Sequence, residues 1–229
     1  MKIHTIILAA GEGSRMISKK AKSLQSIGGQ SMLRRIYETA SGIANEASFV
    51  VGYDKESIVK ETEKFLGNNI NICVQDKPIG TADAVKVALE QITEESQVLI
   101  LYGDVPLIKL ETLKKMLSID KNSLTILTTE LADPTGYGRV KKDNAGFALS
   151  IVEEKDATSE EKKIKEIFTG VLCCNKNLLE EAIMQVDNNN ASGEYYLTDI
   201  VSIISAKGYK INTCVASNNE VKGANTKRE

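Results

Sequence analysis

The sequence predicts an α/β fold, a Rossmann-like, mixed but mostly parallel sheet flanked by helices on both faces. Three observations point there. Short apolar runs alternate with segments of helical spacing over the first 120 residues. The runs are continuously apolar, as strands buried on both faces are. The first of them, Ile6-Ile7-Leu8-Ala9-Ala10, breaks directly into Gly11-Glu12-Gly13, a loop whose backbone can approach an anion closely.

Strands are expected near His4–Ala9, Ala47–Val51, Ile70–Val74 and Gln97–Tyr102. Helices near Ser31–Ser41, Lys55–Phe65, Thr81–Gln91 and Leu110–Ser118 fall between or after them. Beyond residue 120 the order is richer in strands, at Ser123–Glu130, Arg139–Lys142, Leu149–Glu153, Ile167–Asn175 and Lys210–Val215. These are expected to extend the same sheet, with helices near Ala157–Lys165, Lys176–Val186 and Tyr196–Ala206. No internal repeat and no Pro/Gly/Ser-rich linker divides the 229 residues. One domain of two lobes, 1–110 and 111–229, is therefore expected.

Composition narrows the chemistry. The net charge of −2 comes from 29 basic and 31 acidic residues spread along the chain, so no broad basic face for nucleic acid is expected. The first apolar run is too short for a signal-peptide core or a membrane span, which predicts a cytoplasmic protein without a membrane partner. No protein partner is evident. Cys73, Cys173, Cys174 and Cys214 lack metal-ligand spacing and sit in apolar runs, where cysteine acts as a small buried hydrophobe. The one histidine, His4, is expected to be solvated or capping, and by itself it supports neither a histidine triad nor a histidine-rich metal centre. Chemistry must then rest on carboxylates, basic side chains, backbone amides and a hard cation.

Three segments carry that chemistry. The loop after the first strand leads to Arg15 and then Lys22, cations suited to phosphates. It is not a dinucleotide fingerprint, because Met16 stands where a third glycine is required, nor a P-loop, because no Lys-Ser/Thr pair follows. A tight turn with solvated charges is the plain alternative. The second segment, Leu99-Ile100-Leu101-Tyr102-Gly103-Asp104, ends an apolar strand in a carboxylate. In open α/β sheets ligands gather beyond the carboxyl ends of strands, so Asp104 would face the glycine loop if the two strands are neighbours. One aspartate can nucleate a Mg²⁺ site completed by phosphates and water, although Asp104 could equally cap the helix near Leu110. The third segment, Gln75 to Thr81, offers an amide for bidentate pairing with a base edge and a glycine, Gly80, for close approach. Its alternative is a polar turn with Thr81 as the helix N-cap.

Taken together, the segments resemble the sugar-1-phosphate nucleotidyltransferases. The resemblance is strongest to the uridyltransferase half of the bacterial bifunctional N-acetylglucosamine-1-phosphate uridyltransferase/glucosamine-1-phosphate acetyltransferase. It rests on Leu8-Ala9-Ala10-Gly11-x-Gly13-Ser14-Arg15-Met16, Tyr102-Gly103-Asp104-Val105-Pro106-Leu107, Asp133-Pro134-Thr135-Gly136-Tyr137-Gly138-Arg139, Ile151-Val152-Glu153-x-Lys155-Asp156, Gly193-Glu194-Tyr195-Tyr196 and Val221-x-Gly223-x-Asn225.

The resemblance implies the nucleotide-diphospho-sugar transferase fold and a defined reaction. A sugar 1-phosphate, N-acetylglucosamine 1-phosphate, would attack the α-phosphorus of UTP, giving UDP-N-acetylglucosamine for the cell envelope and releasing pyrophosphate, with Mg²⁺ as cofactor. Arg15, Lys22 and Asp104 would be catalytic. The nucleotide would contact Leu8, Ala9, Ala10, Gly11, Gly13, Lys22, Gln75, Gly80 and Thr81 in the first lobe. The sugar would meet Tyr102, Gly103, Gly138, Glu153, Phe168, Tyr196 and Thr198, chiefly in the second, and Asp104 and Asn225 would bind the metal. Three positions depart from the family pattern: Ala21 replaces a proline before the catalytic lysine, Pro78 replaces a glutamine near the uracil, and Phe168 replaces an asparagine in the sugar pocket. A different sugar, or a nucleotide-sugar binding domain without turnover, are the alternatives these departures raise. The chain holds no hexapeptide repeat, so the acetyltransferase β-helix is expected to be absent and no acetyl transfer is expected.

Overall fold

The computed structural model describes residues 2–11, 20–67 and 70–223. Its strands are β1 (Lys2–Leu8), β2 (Ser26–Ile27), β3 (Gln30–Ser31), β4 (Glu46–Val51), β5 (Asn71–Val74), β6 (Ser96–Tyr102), β7 (Leu124–Glu130), β8 (Arg139–Lys142), β9 (Ala148–Val152), β10 (Glu166–Asn175) and β11 (Asn212–Val215). The helices are α1 (Met32–Ser41), α2 (Lys55–Leu66), α3 (Thr81–Leu89), α4 (Leu110–Ile119), α5 (Lys176–Ile183) and α6 (Asp199–Ala206). The main sheet runs β11-β7-β10-β6-β1-β4-β5, with the β8–β9 hairpin attached through β10. β6, β1, β4 and β5 are parallel, and so are β7 and β11. β10 runs antiparallel between β6 and β7, which makes the sheet mixed.

The continuous apolar runs are explained by two cores, one on each face. Successive strand residues point to opposite sides, so Ile6, Val50, Val98 and Ile100 meet α3, α5 and α6, while Ile7, Phe49, Val51, Leu99 and Leu101 meet α1, α2 and α4. The later strands do extend the same sheet: Leu172 and Cys174 of β10 join the first core and Cys173 the second. All four cysteines are buried and free, as their apolar setting predicts. Local capping agrees with the chain. Ser31 accepts from the Arg34 amide to start α1, and Asn175 accepts from Asn177 and Leu178 to start α5. No helix among the described residues is long and apolar enough to cross a membrane.

Four details differ from expectation. His4 is neither solvated nor a cap: it is 4% exposed within β1, its Nε2 lying 2.7 Å from Ser48 Oγ on β4. Burial there pushes its pKa down, against the pull of Glu46. The segment 157–165 yields only a 3-10 turn at Glu161–Lys163, because it buries Ala157 alone and offers no apolar stripe to pack. α6 begins at Asp199 rather than Tyr196, since the residues before it are drawn onto the start of α3. The unexpected β2–β3 hairpin turns on Gly28 and Gly29, both at positive φ (57° and 85°), the geometry its two-residue loop needs.

Candidate active site at the carboxyl ends of β1 and β6

Parallel pairing sets Leu8 beside Tyr102, so both chains leave the sheet at one point. The Gly103 amide donates to the Leu8 carbonyl at 2.9 Å. A Cβ on Gly103 would lie 2.8 Å from that oxygen and 3.3 Å from Ser23 Cβ, so only glycine allows the approach. Beyond this point opens a cleft of about 550 Å³. Leu8, Ala9, Ala10, Gly11, Lys22, Gln75, Gly80, Thr81, Tyr102, Gly103 and Asp104, all expected from the sequence, line it. Ser23, Pro78, Ala84 and Glu194 also line it. Arg15, Gly13 and Asn225 lie outside the described residues.

Lys22 and Asp104 form an ion pair at the mouth of the sheet, through Asp104 Oδ2. With side chains only 14% and 26% exposed, the pair is screened less than a surface one. Asp104 does not cap the following helix: Lys109 is the N-cap of α4, and its amide is taken by Glu220 at 3.0 Å. No trio of His, Cys, Asp or Glu gathers as a metal cage among the described residues. The donor set instead suits a cation held mainly by phosphate. Asp104 supplies a carboxylate at the cleft, and its Oδ1 carries no hydrogen bond among the described residues.

The opposite wall is built by a junction between distant segments. The Tyr195 amide donates to Ile79 O, and the Ala82 amide to Tyr195 O, each at 2.9 Å. Leu197 N donates to Thr81 Oγ1 at 3.0 Å, so Thr81 fastens the junction and is not the N-cap, a place Gly80 takes. Gly80 has φ 140° and sits so close to the Tyr195 backbone that no side chain fits. This junction swings Glu194 to the cleft, over 100 residues from α3 in sequence.

Gln75 is 6% exposed, and its Nε2 donates to Gly80 O at 3.0 Å and Asp83 Oδ2 at 2.8 Å. Both amide hydrogens are therefore in use. The bidentate reading is corrected: the side chain has only Oε1 left to offer a ligand.

The remaining residues form a second cluster behind Tyr102. That ring meets Phe168 edge-on at a centroid distance of 6.4 Å, and Phe168 is 6% exposed and does not line the cleft. Burial, then the nearby Glu153 charge, raises the Tyr102 hydroxyl far above its ordinary pKa, so it stays protonated. Phe168 N donates to Gly138 O at 3.0 Å, which ties β10 to the glycine. A Cβ on Gly138 would press Ile151 Cγ2 at 2.7 Å, with the Glu153 carboxylate 3.5 Å away. Glu153 accepts from Thr198 Oγ1 at 2.9 Å. Burial pushes its pKa up, and Asp156 and Glu194 add to this, while Thr198 opposes them. Tyr196, part-buried, has its pKa raised by burial first.

A family model described as the MobA-like NTP transferase domain matches residues 5–137, which include the whole sheet junction around Leu8, Gln75 and Asp104. The chain belongs to this family. Within it, the chain is 41% identical over 233 residues to "Bifunctional protein GlmU" of Clostridioides difficile (strain 630), covering 100% of the chain and 50% of that protein. It is 42% identical over 224 residues to the protein of the same name from Alkaliphilus metalliredigens (strain QYMF), covering 96% and 48%. The chain thus spans about half the length of the curated relatives it matches. A crystal structure of a Bacillus anthracis protein assigned as a glucose-1-phosphate thymidylyltransferase superposes with TM-score 0.76 at 18% identity, covering 99% of this chain and 91% of that one. At that identity the likeness concerns the fold, which is that of a nucleotidyltransferase. As an NTP transferase domain, the chain sets Leu8 at the end of β1 beside Tyr102 at the end of β6. The cleft residues that motif reasoning passed over, Ser23, Ala84 and Glu194, are ordinary in type, and Glu194 was visible only inside the Gly193–Tyr196 motif.

Proposed function

We propose that the chain is a uridyltransferase that joins UTP to N-acetylglucosamine 1-phosphate, giving UDP-N-acetylglucosamine and pyrophosphate. The observation that carries this reading is the meeting of Lys22 and Asp104 in a cleft whose far wall is the Gln75–Thr81 segment. A cation for phosphates and the Gln75 amide line one cleft. The motif resemblance and the likeness to the GlmU proteins support these substrates. The reaction belongs to the cytoplasm, where UTP is made.

The attacking phosphate oxygen is largely ionised at neutral pH, its second pKa being roughly 6, so no general base is required. The chain's work is then alignment and charge neutralisation. Lys22 turns from Asp104 to the triphosphate, with Arg15 as its partner in the role. Asp104, with Asn225, would hold Mg²⁺, which when bound neutralises phosphate charge. Gln75 Oε1 accepts from an imide N–H of the base, and Gly80 lets its backbone lie against the ring. Glu153, oriented by Thr198, receives sugar hydroxyls beside Gly138 and Tyr196, with Tyr102 and Gly103 beneath.

Pyrophosphate release from UTP and Mg²⁺ across a panel of sugar 1-phosphates tests this. N-acetylglucosamine 1-phosphate is expected to be fastest, with loss of turnover on adding EDTA. No release with any sugar would end the reading in favour of a binding domain. Phe168, turned into the core against Tyr102 where the family pattern has asparagine, favours a second reading in which another sugar leads the panel.

A further inference from the structure

We propose that Asp54 is a positioning residue for Lys22, acting through the backbone amide of Ala21. Three features of Asp54 meet in this role. It is the one non-glycine residue at positive φ among those described, at φ 54° and ψ 34°, a left-handed conformation that an L side chain adopts at a cost. It is the N-cap of α2, yet its carboxylate makes no cap hydrogen bond, giving up the usual employment of an N-cap aspartate. That carboxylate instead reaches across 33 residues, Oδ2 accepting from the Ala21 amide at 3.1 Å.

Ala21 is fully buried and directly precedes Lys22, which opens the 3-10 turn Lys22–Leu24 and carries the ammonium at the cleft. An amide buried there needs an acceptor, and strain at Asp54 is retained because it supplies one. The hydrogen bond fixes the plane of the peptide before Lys22, and with it the direction in which the lysine leaves the backbone. Ala21 has φ −49° and ψ 145°, values close to those of a proline ring. A proline at 21 would hold the backbone without any amide to satisfy, so the two residues make one restraint that a single substitution can replace.

This inference rests on the proposed role of Lys22 at the phosphates. Its test is a four-variant cycle of the chain as it stands, Asp54→Gly, Ala21→Pro and both together, with Asp54→Asn as the conservative change. Glycine accepts φ 54° freely, so it removes the carboxylate without adding strain. Asp54→Gly is expected to lower kcat for pyrophosphate release roughly tenfold while KM for UTP moves less than about twofold. Asp54→Asn, which keeps an acceptor, restores kcat to within about twofold of the original. In the Ala21→Pro background, Asp54→Gly changes kcat by less than about twofold. An unchanged kcat for Asp54→Gly, equal damage from Asn and Gly, or equal damage with and without the proline would each overturn the proposal. If the unaltered chain releases no pyrophosphate, the proposed function fails instead, and the urea midpoints of the same four proteins still decide the contact. Non-additive midpoints support it, and additive ones refute it.

Discussion

Gln75 shows how a side chain's meaning changes once its neighbours are known. Its amide reads in the sequence as a two-way partner for a base, but Gly80 O and Asp83 Oδ2 hold both of its hydrogens and leave a lone acceptor. An acceptor suits the imide N–H of uracil and rejects the ring nitrogen of cytosine, which is itself an acceptor. Asp83→Ala frees the amide to rotate and is expected to raise KM for UTP roughly tenfold, about 1.4 kcal/mol, and to narrow the preference for UTP over CTP. Competitive pyrophosphate-release assays with the two nucleotides check this, and an unchanged ratio would deny Asp83 any part in base selection. Lys22 and Asp104, by contrast, meet as an ion pair lining one cleft. Asp104 is legible because it lies two residues past the end of its strand, whereas Lys22, fourteen residues beyond Leu8, is brought to it by the fold.

Between elements, the decisive feature is the docking of the Tyr195–Leu197 strip on the start of α3. Two backbone hydrogen bonds carry it together with the one from Leu197 N to Thr81 Oγ1, and backbone bonds leave no signature in side-chain type, so the sequence shows only two small motifs over 100 residues apart. Gly80 is a position where the packing leaves a residue-level trace, since any Cβ there strikes the Tyr195 backbone and φ 140° is glycine's territory. Gly80→Ala is expected to cost about 1–3 kcal/mol from the backbone conformation alone, with the displaced strip adding to it. Urea unfolding measures that cost, and KM for UTP should rise alongside it because Gln75 loses the Gly80 carbonyl's position. A wild-type midpoint would mean that the strip shifts without penalty. The failed helix at 157–165 teaches the converse: charged residues of good helical propensity do not hold a helix when only Ala157 is buried.

At the scale of the whole molecule, the fold gathers acidic groups near the start of α6. Asp199, part-buried at the start of α6, has its pKa raised to about 6 by burial first and then by Asp187, Glu153 and Asp156. Its folded value therefore lies above its ordinary 3.8, and protonation favours the folded state. The stability this group allows is complete below that ordinary value and is lost as the pH rises through about 6. Asp199→Asn is expected to melt higher than the parent at about pH 7.5 and to converge with it near pH 4, because the parent aspartate is then protonated. Parallel melting curves across that range would show that the carboxylate is solvated in the fold. His4 works in the opposite sense, since its lowered pKa removes stability on acidification below about 6.5, so a comparison of Asp199→Asn with its parent is needed to isolate one slope.

The sequence by itself determined the sheet and its two-sided burial, because continuous apolar runs have one economical resting place between helical layers. It marked as well the two strand ends that carry the cleft, since their chemistry is local, while the pairing that sets Leu8 beside Tyr102 came from the fold. Only the tertiary structure decided the orientation of Gln75, the turning of Phe168 into the core against Tyr102, the burial of His4 beside Ser48 and the reach of Asp54 to Ala21. These depend on hydrogen bonds and ring contacts between segments far apart in the chain. Pairwise geometry of that kind is fixed by packing, and no spacing along a sequence records it.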